Sequence, residues 1–273
     1  LPNAPAPSPP IPGTFGPFLP LDGGLNSIEE TRVEPFVKLS GTSGALEWEA
    51  GLRYQQTDVE INDKTVAPAD ARAENDYGVF LPSGHLRWNL DDSNRITASV
   101  ARTMRRPGFD QISPALLLAE LGDNDLLGNP DLEPETADTY TAGLVWSPAF
   151  AVDTNWSERL DFEFTYYNVE VEGAIQAIDA QTQLNLCVAT LDEAYCNGIT
   201  RATTGGINGF NNRLVNIGQI ETDGYDINLY WSAPAGDWGQ FNVTWLNTFV
   251  ADYEAIGVNG VVQPQSEGTE VND

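Results

Sequence analysis

The stretch LEWEAGLRYQ, residues 46–55, alternates between apolar and polar side chains. One set of alternate positions is apolar: Leu46, Trp48, Ala50, Leu52 and Tyr54. The intervening set is mostly charged or polar: Glu47, Glu49, Arg53 and Gln55. Because successive side chains of a β-strand point to opposite faces of a sheet, this stretch predicts a strand with one apolar and one charged face.

The same alternation recurs along the chain and predicts an all-β, antiparallel protein. The predicted strands cover residues 33–40, 45–57, 78–90, 95–105, 137–147, 159–171, 218–232 and 239–253. Several of these strands have ten or more residues, whereas strands of soluble proteins average about 5 to 6. A tilted strand that crosses a bilayer needs about 9 to 11 residues. The strand lengths therefore favour a transmembrane β-barrel segment of about eight long strands.

The predicted connections alternate in length. Short turns fall at 41–44, 91–94 and 233–238, with a medium one at 148–158, and long loops fall at 58–77, 106–136 and 172–217. Outer-membrane barrels have short periplasmic turns and long extracellular loops. We therefore expect the long loops at one end of the sheet and the short turns at the other.

Composition excludes several classes of function. The 273 residues include 13 Lys+Arg and 40 Asp+Glu, a net charge of −27 that would repel nucleic acid. The longest aliphatic run, residues 115–119, is far shorter than the roughly 20 residues of a membrane-spanning helix. Residues 1–20 contain eight prolines and no basic residue, so they do not resemble a signal peptide.

No cofactor, metal or enzyme site is predicted. A lone His85 cannot supply a two-histidine zinc site, and the sequence contains neither a GxSxG elbow nor a phosphate-binding loop. Charges on the polar strand faces, including Glu47, Glu49, Asp161 and Glu163, are what a water-filled lumen requires. Cys187 and Cys196, with eight residues between them, fit a small disulfide loop in an oxidising compartment.

Longer segments resemble the barrel of TonB-dependent outer-membrane receptors. The strand, loop and strand signature of that family is similar to FLPSGHLRWNL (80–90), RITASVARTMRRPGFDQISP (95–114) and GNPDLEPETADTYTAGLVW (128–146). Further similar segments are EWEAGLRYQQTDV (47–59), LDFEFTYYNVEVEGAI (160–175), LCVATLDEAYCNGITR (186–201) and NIGQIETDGYDINLYW (216–231). The string GNPDLEPE also has an ordinary interpretation as turn chemistry that positions the next strand.

The resemblance implies a bacterial outer-membrane receptor for energy-coupled uptake of a scarce nutrient, either an oligosaccharide or a ferric siderophore. It implies a barrel of about 22 strands with a plugged lumen. Residues 1–32 would be a Pro-rich extension, and 33–273 a partial barrel without the plug and the closing strands. The implied partners are the TonB energy-coupling system acting through the absent plug, lipopolysaccharide, and the nutrient. Alternatives are a passive porin, or a secreted β-sandwich that binds carbohydrate or serves adhesion.

Strand parity assigns the candidate site residues. Ile96, Ala98 and Val100 set the lipid face, so Arg102 is expected at head-group height, where it could reach lipopolysaccharide phosphates. Arg105 has the opposite parity and should face the lumen. Residues expected to face the plug or the ligand are Arg105, Arg106, Glu47, Glu49 and Arg53. Alternatively, Arg105 pairs only with acidic residues on adjacent strands.

Overall fold

The computed structural model describes residues 24–68, 70–114, 116–117, 126–178, 180–191, 193–196, 199–210 and 212–257. The strands are β1 Asn26–Val33, β2 Phe36–Ser43, β3 Leu46–Asp63, β4 Arg72–Asn89, β5 Asn94–Arg105, β6 Leu116–Leu117, β7 Leu126–Leu127, β8 Glu135–Trp146, β9 Arg159–Ala177, β10 Ile199–Arg201, β11 Ile207–Phe210, β12 Asn212–Pro234 and β13 Gln240–Ile256. The helices are α1 Phe109–Ile112, α2 Ala180–Thr190 and α3 Glu193–Cys196, with 3-10 turns at Ala149–Ala151 and Gly236–Trp238. Among these residues, no helix is long and apolar enough to cross a membrane.

The long strands form one antiparallel sheet in which neighbours in sequence are neighbours in space. β3, β4, β5, β8, β9, β12 and β13 follow one another across it, and β1 and β2 both pair with β3. β1 and β2 therefore form one edge, β13 forms the other, and the sheet is open within the described residues. The predicted antiparallel all-β fold is confirmed.

The short turns lie together at one end of the sheet, as predicted. Backbone hydrogen bonds join consecutive turns: Asn89 N donates to Ala45 O at 2.9 Å, Ser147 N to Ser93 O at 2.7 Å, and Glu158 N to Ser232 O at 2.8 Å. At the other end, Asn62 pairs with Arg72 and Arg105 with Glu135. The long connections therefore leave the sheet from that opposite end.

Several predicted boundaries are wrong. The strand expected at 33–40 is β1 followed by β2, because Pro35 interrupts the edge and has no N–H to donate. The loop expected at 58–77 is mostly strand, since β3 continues to Asp63 and β4 begins at Arg72. The loops expected at 106–136 and 172–217 are also shorter than predicted, because β8 begins at Glu135, β9 extends to Ala177 and β12 begins at Asn212.

The seam between β4 and β5 opens towards the long-loop end. These strands pair only from Ser83 with Ala101 to Asn89 with Arg95. From Arg72 to Pro82, β4 pairs only with β3. The pairing with β5 stops at Pro82 because proline has no N–H to donate to a neighbouring strand. The wall is therefore split at its long-loop end.

A hydrophobic core lies at the long-loop end of one face of the sheet. This is the face opposite the apolar side chains of residues 46–54, and we call it the inner face. The core contains Val59 and Ile61 of β3, Ile112 and Leu132 from the connection between β5 and β8, and Leu214 of β12. The connection between β5 and β8 thus folds inward and packs against the strands.

Candidate functional site: the inner face of the sheet

The outer face of the sheet is apolar on the strand segments next to the short turns. On β3, Trp48 is 38% and Leu52 44% exposed, and on β4 both Phe80 and Leu86 are exposed. Aromatic pairs lie where these segments end, including Tyr54 and Phe80 with ring centroids 4.7 Å apart and Tyr166 and Tyr225 at 6.1 Å. Exposed apolar bands bordered by aromatic residues are typical of barrel walls that face lipid.

The inner face of the same segments is charged. Glu49 Oε2 lies 2.7 Å from Lys38 Nζ of β2, and Glu47 Oε2 lies 3.7 Å from Arg87 Nη1 of β4. Glu47 Oε1 also accepts a hydrogen bond from Asn89 Nδ2 at 3.2 Å. Arg53 lies on the same face and is exposed. Three of the predicted site residues therefore line one surface, two of them already paired to neighbouring strands.

Hydroxyl side chains continue this surface across β5, β8 and β9. Ser99 and Thr141 are hydrogen bonded at 2.6 Å. Gly143 lies between Thr97 and Thr165, and a Cβ atom there would come within 2.8 Å and 2.9 Å of their hydroxyl oxygens. The two threonine hydroxyls can lie this close to the Gly143 backbone because glycine has no side chain. The inner wall therefore carries hydroxyl groups that both donate and accept hydrogen bonds.

A second charged group lies nearer the short turns. Arg159 Nε lies 2.5 Å from Asp161 Oδ2, and the Arg159 guanidinium lies 5.5 Å from the Tyr230 ring centroid. Ser147 donates a hydrogen bond to Asp161 at 2.7 Å. An open cavity of about 320 Å³ lies here, lined by Arg95, Val145, Arg159, Asp161, Glu163, Asn228, Leu229, Tyr230, Thr244 and Leu246.

The GNPDLEPE segment is clamped across the inner face by asparagine side chains. Asn75 of β4 donates to the carbonyls of Pro130 and Leu132 at 3.1 and 2.8 Å. Asn216 of β12 accepts from Glu133 N and donates to Glu133 O, both at 2.8 Å. Asn129, within the segment, donates to Leu214 O at 2.9 Å. The interpretation of this string as strand-positioning chemistry agrees with these contacts.

Arg105 and Arg106 lie at the end of β5, beside this clamped segment. Arg105 Nη1 lies 3.4 Å from Glu135 Oε2, and the Arg105 side chain is 76% exposed. Arg106 reaches β1, with Nε 3.6 Å from Glu30 Oε1 and Nη1 3.9 Å from Glu34 Oε1. Arg32 Nε lies 2.9 Å from the same Glu30 oxygen. Three arginines and three glutamates are thus brought together from β1, β5 and β8 and from the residues that directly follow β1 and β5.

A cleft of about 550 Å³ opens between these elements, and we call it the arginine cleft. It is lined by Glu30, Arg32, Met104, Arg105, Arg106, Pro107, Gly108 and Phe109. Burial, and next the Glu30 carboxylate, raise the pKa of the nearby Tyr77 phenol. Sequence reasoning missed Arg32 and Phe109, although the alternation of Glu30, Arg32 and Glu34 on one strand face could have indicated a charged edge.

Arg102 does not extend freely from the outer face. Its Nε donates to Asp138 Oδ1 at 2.7 Å and its Nη2 donates to Asp138 Oδ2. The expected contact with lipopolysaccharide phosphates would therefore have to compete with a two-point ion pair.

Cys187 and Cys196 form a disulfide between α2 and α3, with Cα atoms 4.8 Å apart.

In the parts of the chain that the structure describes, no group of three or more His, Cys, Asp or Glu side chains could hold a metal ion.

Comparisons with known proteins agree with this architecture. The family model for the TonB dependent receptor-like β-barrel matches residues 5–272. No curated protein matches the chain.

Solved structures with a similar fold include the hemophore receptor HasR of Serratia marcescens, at 14% identity over 81% of this chain and 34% of that one, with a TM-score of 0.53. The copper transporter OprC has 12% identity over 84% of this chain and 32% of its own, with a TM-score of 0.51. The alcaligin receptor FauA of Bordetella pertussis has 12% identity over 88% and 32%, with a TM-score of 0.46. The chain spans about a third of these structures.

Proposed function

This chain belongs to the family of TonB-dependent receptor-like β-barrels of the bacterial outer membrane, and from that premise we propose that it forms part of the wall of a receptor for energy-coupled uptake of a scarce nutrient. Its contribution is binding and gated passage, without bond chemistry. The energy comes from the TonB system, which acts through a plug inside the barrel.

One observation carries the proposal: the same strands present a lipid-compatible outer face and a charged, hydroxyl-rich inner face. Trp48 and Leu52 point outward, whereas Glu47 and Glu49 point inward from the same strand. A soluble β-sandwich would bury the apolar face instead of exposing it. This arrangement favours the receptor over the β-sandwich alternative.

We assign Glu47, Glu49, Arg53, Arg105 and Arg106 as residues that face the plug or the ligand. The first three lie on the inner wall, where a plug would contact them. The two arginines lie at the long-loop end, where a ligand arrives from outside. On the opposite face, the exposed aromatic residues face lipid, and Arg102 faces the outer leaflet, whose lipopolysaccharide is the proposed lipid partner.

The proposed substrate is an oligosaccharide, with a ferric siderophore as the alternative. Serine, threonine and tyrosine hydroxyls on the inner wall suit a hydroxyl-rich sugar because they both donate and accept hydrogen bonds. Arginines suit an anionic siderophore because they bind carboxylates through paired hydrogen bonds. Uptake of each class can be compared in one strain.

The test is uptake of a labelled oligosaccharide and of a labelled ferric siderophore by cells that express the receptor, with and without a functional TonB system. We expect uptake of one class only, abolished when TonB is removed. Uptake that continues unchanged without TonB would support the passive porin and contradict the proposal.

A residue-level test substitutes Arg105→Ala and measures ligand affinity and energised uptake separately. We expect weaker binding and slower uptake. The matched control is Arg201→Ala, because Arg201 is also exposed but lies in β10, within another long connection, where it donates to Gly205 O at 3.1 Å. Unchanged affinity and uptake in the Arg105 variant would leave this residue a structural role only.

A further inference from the structure

We propose that the arginine cleft is a binding site for a carboxylate or phosphate group attached to a flat apolar body, and this inference rests on the proposed receptor function. Arg32, Arg105 and Arg106 provide the anion contacts, and Phe109 provides the apolar surface. The site lies on the inner face at the long-loop end, where a ligand first meets the wall.

The guanidinium groups are held near carboxylates without being saturated by them. Only the pair from Arg32 to Glu30 is short, at 2.9 Å. The other four pairs measure 3.4 to 4.0 Å, longer than the 2.7 to 2.9 Å typical of a charge-assisted hydrogen bond. An incoming anion can therefore gain short hydrogen bonds from arginines that are already oriented.

The apolar part of the cleft is also preorganised. Phe109 begins α1 and is 58% exposed at the cleft, although three residues later the same helix anchors Ile112 in the core. Gly108 N donates to Gln111 Oε1 at 2.7 Å and fixes the start of the helix. A flat ligand can therefore stack on a ring whose backbone is held in place.

The two faces of the wall differ in net charge at this end. Among the described residues, an outer cavity of about 310 Å³ is lined by the carboxylates of Glu29, Asp58, Glu60, Glu74 and Asp76, by Arg72, and by Thr31, Val59 and Asn75. The arginine cleft is lined by Arg32, Arg105 and Arg106, and three glutamates lie within 4.0 Å of these guanidinium groups, so the charges there are balanced. In a chain of net charge −27, an anion is repelled by the outer cavity, whereas the inner cleft offers it guanidinium groups without a net negative charge.

The experiment uses the receptor purified from outer membranes in detergent, and two flat probes of nearly equal shape: benzoate, which is anionic, and benzamide, which is neutral. Calorimetry measures binding of each, and inorganic phosphate is added as a competitor. We expect benzoate to bind, benzamide to bind at least about tenfold more weakly, and salt to weaken benzoate.

Phosphate that displaces benzoate identifies a general anion site, and phosphate that fails to displace it identifies a carboxylate site; both support the proposal. Arg105→Gln and Arg106→Gln should each weaken benzoate about tenfold or more. The matched control is Arg213→Gln, since Arg213 also has an ion pair of 3.4 Å, with Asp131, but lies outside the cleft. Circular dichroism checks that each variant is folded.

Equal binding of benzoate and benzamide would overturn the cleft proposal, as would benzoate binding unchanged by both cleft substitutions or weakened equally by Arg213→Gln. These measurements need no energised membrane. Their failure therefore leaves TonB-dependent uptake standing, and failure of TonB dependence leaves the benzoate result standing.

Discussion

The two halves of β3 direct their apolar side chains to opposite faces of the sheet. From Leu46 to Tyr54 the apolar side chains point outward, and Trp48 and Leu52 are exposed. From Gln55 to Asp63 the apolar side chains point inward, and Val59 and Ile61 are 6% and 2% exposed. The strand keeps its period of two throughout, so only the face that is apolar changes.

The surroundings of each half explain the exchange. The first half separates lipid from a polar lumen, so its outer side chains must be apolar. The second half separates external water from the inward-folded connection that carries Ile112 and Leu132, so its inner side chains must be apolar. Alternation therefore identifies a strand, whereas its environment decides which face is buried.

The largest expected effect is the loss of an apolar side chain that packs against the second half of β3. Leu132, 1% exposed in the core, changed to Ala should lower the free energy of unfolding of this region by about 2 to 5 kcal/mol. Its matched control, Leu39→Ala on the lipid face of β2, should cost less than about 1 kcal/mol, because lipid replaces the lost contacts. Denaturant unfolding, followed by hydrogen exchange, measures the loss of stability in each variant. Equal losses in the two variants would contradict the difference between the buried core and the lipid-facing side chains.

The next largest effect is the loss of stability when a charge is placed on the outer face, which should differ between the lipid-facing part and the water-facing part of a strand. Leu86→Arg, in the lipid-facing part of β4, should destabilise the folded barrel by about 2 to 4 kcal/mol. Asp76→Arg lies on the same face of the same strand beyond Phe80, and should change stability by about 0.5 kcal/mol or less because it faces water. Unfolding titrations in lipid vesicles test the pair; an equally large cost at Asp76 would place the lipid boundary elsewhere.

The asparagine clamp gives a smaller effect. Asn216→Ala removes three hydrogen bonds, two to Glu133 and one to Gly173 O, each 2.8 Å long. We expect the Glu133 amide to exchange faster, by an amount equivalent to about 1 to 3 kcal/mol. Asn242→Ala, which loses one exposed 3.2 Å contact with Tyr230, is the control. Slow exchange retained at Glu133 would mean that the core alone holds the segment.

Sequence predicted the strands and their order well, because alternation is a local property. It failed at residues 58–63 and 72–77, where the alternation continues but the apolar face is exchanged, so the segment resembles a polar loop. Parity placed Glu47, Glu49 and Arg105 on the inner face. It could not find Arg32 or Phe109, because their contacts depend on how β1 and the start of α1 meet across the split between β4 and β5.

Spin labels along β3 in a lipid bilayer test the exchange of faces most directly. Labels at Leu52, Glu60 and Ile61 are compared for collisions with oxygen, which concentrates in lipid, and with a water-soluble nickel complex. We predict oxygen access at Leu52, nickel access at Glu60 and access to neither reagent at Ile61. Oxygen access at Glu60, or nickel access at Ile61, would contradict the exchange of faces.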